Sequence, residues 1–163
     1  MPQSENHQDE LATVVDIIKQ HPVCMLTSHG QDGLLSHPMT VLKVEDDGEL
    51  WMFSSIGSTP AEDIAQNPAV NLSFTTKDQW LSVRGSGAVI TSEPKARELW
   101  NTAAAAFFPE GPESQDLILI RIRPDAAQFW ESPGGAISLV FNWAKARITG
   151  QTIDAGESHT VEL

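Results

Sequence analysis

The chain has one cysteine, no tyrosine, and 10 Lys and Arg against 22 Asp and Glu in 163 residues. Each shortage excludes something. A lone cysteine cannot form an internal disulfide framework, and Cys24, set in the apolar run Val23 to Leu26, reads as a buried small hydrophobe in a reducing compartment. A formal net charge of −12 argues against broad attraction to nucleic acid or anionic lipid. No apolar run approaches the ~20 residues of a membrane span. The start, MPQSENHQDE, is polar and acidic rather than a basic flank before an apolar stretch, so the expected location is cytoplasmic. Nucleophile-elbow, H-E-x-x-H, Walker and C-x-x-C patterns are missing, and the five histidines have no ligand spacing, so no metal site is expected. Gly85-Ser86-Gly87 lacks the third glycine and the strand-to-helix setting of a dinucleotide fingerprint. Any chemistry must come with a cofactor.

What is present reads as one domain over residues 1–163, with 1–8 as a flexible tail. Leu11, Val14, Val15 and Ile18 recur at helical spacing, which predicts a helix from about Asp9 to Gln20, stopped by His21-Pro22. Strands are expected at Val23 to Thr27, Pro38 to Val44, Glu49 to Phe53, Val70 to Thr75 and Trp80 to Ile90. Gly85 and Gly87 inside the last imply a bulge, a barrel bend or a close approach to another backbone or ligand. Ser92 caps a predicted helix running to about Phe107. Leu117 to Arg123 and Ala126 to Trp130 read as a pair of strands turning at Pro124-Asp125. Ser132 to Gly135 breaks the pattern, a third helix spans Ile137 to Ile148, and Thr160 to Leu163 suits an edge strand. The sum is a mainly β, α+β fold: an antiparallel barrel with flanking helices.

The segment from Leu34 to Pro68 is the richest in local signals. The turn Glu45-Asp46-Asp47-Gly48 predicts a hairpin between its flanking apolar runs, and Ser54, Ser55, Ser58 and Thr59 follow where a helix begins. Unpaired N–H groups at such a start favour an anion. Thr59 is the predicted N-cap, Pro60 the first helical residue, and Glu62 completes a capping box, which takes up donors an anion would use. Pro38 cannot donate to a ladder, so it marks an edge, a bulge or a strand start, with His37 and Met39 pointing to one side. Five tryptophans supply flat surfaces, Trp80 and Trp130 among them.

In order, His37-Pro38-Met39, the Leu50 to Ser54 strand, the serine-rich loop before Asn67-Pro68, and Ser82-Val83-Arg84-Gly85 resemble the pyridoxamine 5′-phosphate oxidase-like flavin-binding split barrels. Glu98 to Asn101, Phe108 to Pro112, Phe129 to Gly135 and Ala144 to Ala146 narrow the resemblance to the general stress protein 26 branch. The resemblance implies a six-stranded Greek-key split barrel and a homodimer with FMN in two interface clefts. It places His37, Pro38, Met39 and Thr40 on the strand under the flavin ring, Ser54 and Ser55 beside ribityl and phosphate, and Ser58 and Thr59 in the phosphate loop. Trp80 would face the cofactor, and Trp130 would reach it from the partner subunit.

Two departures bear on function. His37 stands where the family pattern usually has arginine, and Pro60 where the loop usually offers lysine, so FMN affinity is expected to be weak. One expectation is therefore an FMN-dependent, NAD(P)H-linked redox protein with no indispensable protein acid or base. The other is a non-catalytic dimer serving as flavin store, sensor or interaction module.

Overall fold

In the computed structural model, residues 12–131 and 158–162 are described. Residues 12–20 form helix α1, which buries Val14, Ile17 and Ile18 on one side. Strands β1 (Val23–Gly30), β2 (Gly33–Thr40), β3 (Lys43–Val44) and β4 (Leu50–Ser55) follow, then helix α2 (Thr59–Gln66) and strands β5 (Ala69–Thr75) and β6 (Gln79–Ile90). Helices α3 (Glu93–Leu99) and α4 (Ala104–Phe107) precede the long strand β7 (Leu117–Glu131) and β8 (Ser158–Glu162).

The strands make one antiparallel sheet in the order β2-β1-β5-β6-β7-β4-β3, with β8 added to β7. Six strands of six residues or more carry the expected fold class, and β3 and β8 are short additions. Alternation along the strands sends one face inward. Leu26 opposes Leu72, Leu72 opposes Val83, and Val83 opposes Ala127, while Met52 opposes Ile120 and Leu50 opposes Ile122. These residues form one buried cluster, joined by the apolar side of α1. Burying each large aliphatic side chain stabilises the fold by about 1.5–3 kcal/mol. Trp51, Phe53, Leu117 and Leu119 pack instead in two smaller clusters with residues of α3 and the segment after it.

Both strand glycines have a steric reason. The β6–β7 register shifts between Arg84 and Gly85, where an added Cβ would lie 2.2 Å from the Arg123 carbonyl oxygen. At Gly87 an added Cβ would lie 3.0 Å from Ile64 of α2.

Four expectations are corrected. The Pro124-Asp125 turn does not form: β7 runs straight through it, because Pro124 pairs with Gly85 at the bulge, where the ladder is already irregular. The hairpin around Glu45 to Gly48 is real, but only Lys43 and Val44 pair with β4, while His37 to Thr40 belong to β2 and pair with β1. The predicted long helix after Ser92 breaks between Leu99 and Ala104. Trp100 and Phe108 both pack on Phe53, at ring-centroid distances of 5.8 and 6.2 Å, and the break lets both reach it. Finally, the N-cap of α2 is Ser58, not Thr59, and no capping-box side-chain bond is made at it. The predicted tail, the Ser132 to Gly135 break and the Ile137 to Ile148 helix lie outside the described residues. Among the described residues, no helix is long and apolar enough to cross a membrane.

Candidate functional site

At the open side of the sheet, β2 and β4 come near each other, and a cleft of about 490 Å³ lies between them and the α4 region. From β2 it is lined by His37, Pro38, Met39 and Thr40. As an edge strand, β2 tolerates Pro38, which sits opposite Met25 of β1. His37 opposes Leu26 and Met39 opposes Cys24, so both belong to the inward set, as their spacing implied. His37 Nε2 is buried and has no hydrogen-bond partner among the protein's groups. A buried imidazole nitrogen without a partner costs stability unless a water or a ligand atom meets it.

From the other side come Phe53, Ser54 and Ser55, at the end of β4. A turn over Ser55 to Ser58 follows, closed by the Ser58 N–H donating to the Ser55 carbonyl at 3.1 Å and by Gly57 at φ 72°. It folds Ser58 back so that its hydroxyl lies 2.8 Å from that of Ser54. That contact explains the absent side-chain cap. Glu62 N–H donates to the Ser58 carbonyl at 3.0 Å, the first bond of the helix. Thr59 is exposed and falls outside the cleft lining, whereas buried Pro60 lies within it.

The floor and mouth were not foreseen from sequence. Asn101, Ala103, Ala104, Phe107 and Phe108 line the cleft, and Phe107 is 81% exposed at its edge. They arrive there because the helix breaks after Leu99, and Asn101 Oδ1 then accepts the Ala104 N–H at 2.9 Å to start α4. The cues in the sequence were Asn101 and Phe108, each within a family-like motif.

Seven of the ten expected residues thus meet in this cleft: His37, Pro38, Met39, Thr40, Ser54, Ser55 and Ser58. Trp80 and Trp130 do not line it. They are cross-strand neighbours on β6 and β7, in the outward-facing set of the sheet. Toward the other side of that face, Met25 and Val23 are 41% and 62% exposed. Among the described residues, no Lys, Arg, Asp or Glu lines the cleft, and His37 is the only titratable side chain that does. Among the described residues no three His, Cys, Asp or Glu side chains gather as a metal-ligand set.

The profile of the family described as "Pyridoxamine 5′-phosphate oxidase like" matches residues 9–154. The chain belongs to that family. Protein bli-3 of Neurospora crassa is 27% identical over 139 residues, a match that takes in 78% of this chain and 66% of that protein. The general stress FMN/FAD binding protein of Xanthomonas citri is 30% identical over 72% of this chain and 85% of its own, with a TM-score of 0.64. A protein assigned to general stress protein 26 from Jannaschia sp. CCS1 superposes with a TM-score of 0.71, covering 96% of this chain and 99% of its own at 24% identity. The last likeness establishes the fold alone.

Proposed function

We propose that this member of the pyridoxamine 5′-phosphate oxidase-like family binds a flavin in the β2–β4 cleft and serves as an NAD(P)H-linked redox protein, with FMN the form the family implies. The single observation that carries the reading is the unpartnered, buried His37 Nε2 in a cleft with an apolar side and a hydroxyl side. Met39, Leu42, Phe53 and Phe108 suit the faces and edges of a flat ring, and Ser54, Ser55 and Ser58 suit a polyol chain. When bound, the flavin supplies the electron transfer. This chain's residues orient it and exclude water. The described lining, without lysine or arginine, fits a phosphate poorly.

In this reading the protein is a homodimer that docks through the outward face of the sheet. Exposed Val23 and Met25 together with Trp80 and Trp130 give that face an apolar character suited to a second copy. Docking would give Trp130 a route to the partner's cleft.

A second reading, a non-catalytic flavin store or sensor, is favoured by one observation: among the described residues, His37 is the one acid or base in the cleft lining. Absorbance titration with FMN, followed by anaerobic addition of NADH or NADPH, separates the two. Saturable binding with bleaching supports the redox protein, binding without bleaching supports the store, and no binding contradicts both.

A further inference from the structure

Resting on the flavin reading above, we infer that the cleft selects the phosphate-free form of its ring-and-polyol ligand, with His37 as the residue that sets the selection. Among the described residues, no guanidinium or ammonium lines the cleft to pair with a phosphate. Position 37 holds an imidazole, position 60 holds buried proline, and the remaining polar side chains are serines, a threonine and an asparagine. Such neutral donors bring no positive charge to offset the desolvation of a dianion, as a guanidinium or ammonium would.

The loop that could hold an anion is also partly spent. The Ser54 and Ser58 hydroxyls are joined to each other, and the Ser58 N–H already donates to the Ser55 carbonyl. Pro60 has no N–H to offer. Glu62 adds a carboxylate in the first turn, its Oε1 only 4.0 Å from where a Cβ on Gly57 would sit. The whole chain carries a formal net charge of −12, which repels a dianion at long range. A neutral polyol meets none of these penalties. Its hydroxyls both donate and accept, so they pair with serine hydroxyls, and an acceptor on the ligand satisfies His37 Nε2 if that nitrogen carries the proton.

The test is equilibrium binding of riboflavin and of FMN to the purified full chain, read by quenching of flavin fluorescence at low and at high ionic strength. Riboflavin is expected to bind at least as tightly as FMN. Added salt should tighten FMN by screening repulsion while leaving riboflavin unchanged. His37→Arg should shift the ratio of the FMN and riboflavin dissociation constants about tenfold in favour of FMN. Pro60→Lys should act in the same direction. FMN binding at least tenfold tighter than riboflavin and weakened by salt would overturn the inference while leaving the flavin reading intact. Should neither flavin bind, the flavin reading itself fails, and this inference with it. An unchanged FMN to riboflavin ratio in both variants would overturn the assignment to His37.

Discussion

The Ser28 hydroxyl donates a 2.7 Å hydrogen bond to Asp63 Oδ2, and both side chains are buried. The bond ties β1 to α2, the helix whose N-cap, Ser58, lines the cleft. Gly30 leaves room for the same carboxylate: a Cβ there would lie 2.0 Å from Asp63 Oδ1.

Ser28→Ala removes the donor and leaves a buried carboxylate short of a partner, a change worth about 1–3 kcal/mol of stability. Urea unfolding measures it. Flavin binding should weaken in the same variant, because α2 and its Ser58 lose an anchor. Full stability in Ser28→Ala would show that the Ser28–Asp63 bond carries little of the attachment.

Gly85→Ala and Gly87→Ala should differ in severity although they are two residues apart on one strand. At Gly85 the new Cβ would meet backbone, 2.2 Å from the Arg123 carbonyl oxygen, and the ladder itself has to move. At Gly87 the three nearest atoms are all side-chain methyls, two of Ile64 at 3.0 and 3.2 Å and one of Ile122 at 3.2 Å, which can give way by small shifts without moving the ladder. The expected losses are about 3 kcal/mol or more at Gly85 and about 1 kcal/mol at Gly87. Equal losses by thermal or urea unfolding would contradict the bulge account.

Burial pushes the Cys24 thiol up to about 12 from its ordinary 9.0. A thiol-reactive disulfide reagent at mildly alkaline pH should therefore leave the folded protein unmodified and react after denaturant is added. The linkage has a definite sign. The folded state keeps its proton where the unfolded state loses it, so this contribution is complete below pH 9 and is lost as pH rises toward 12. Cys24→Ala should remove that part of the alkaline fall in stability.

Around the β3–α3 surface, Lys43 bridges Glu45 and Glu98, and Lys95 bridges the same pair while its Nζ lies 4.9 Å from the Trp51 ring centre. The hydrogen bond from Lys95, then that from Lys43, holds Glu45 below the usual carboxylate range. For Glu98 the order is reversed, with Lys43 first. Depressed carboxylates contribute stability above their unfolded range and lose it as pH falls through the folded value. All four groups are at least partly open to solvent, so high salt should flatten that acid limb, and Glu98→Gln should shrink it. A slope indifferent to both would place the acid sensitivity elsewhere.

Much of the sheet was legible because alternation and turn chemistry act locally. The strands around Cys24, Leu72 and Val83, the bulge at Gly85, and the late strand at Thr160 followed from period two and glycine placement. Partners across the sheet were not legible. Nothing near His37 says that β2 pairs with β1 rather than with β4, and Pro124 reads as a turn until Gly85 is set opposite it. The break after Leu99 has no glycine or proline to announce it, since Phe53 draws Trp100 and Phe108 from a distance in sequence. The site divided the same way. The β2 and β4 residues came from local motifs, whereas Asn101 and Phe107 depended on the broken helix, and Trp80 and Trp130 lie together on the outward face of the sheet, outside the cleft lining.

The most direct test of the flavin-cleft account is a flavin fluorescence titration of the native chain beside Ser55→Trp, which places an indole in the cleft at the half-buried end of β4. The account predicts saturable quenching by the native protein and its loss in a Ser55→Trp variant that keeps the native unfolding midpoint. Equal binding in both, or no saturable binding by the native chain, would contradict it.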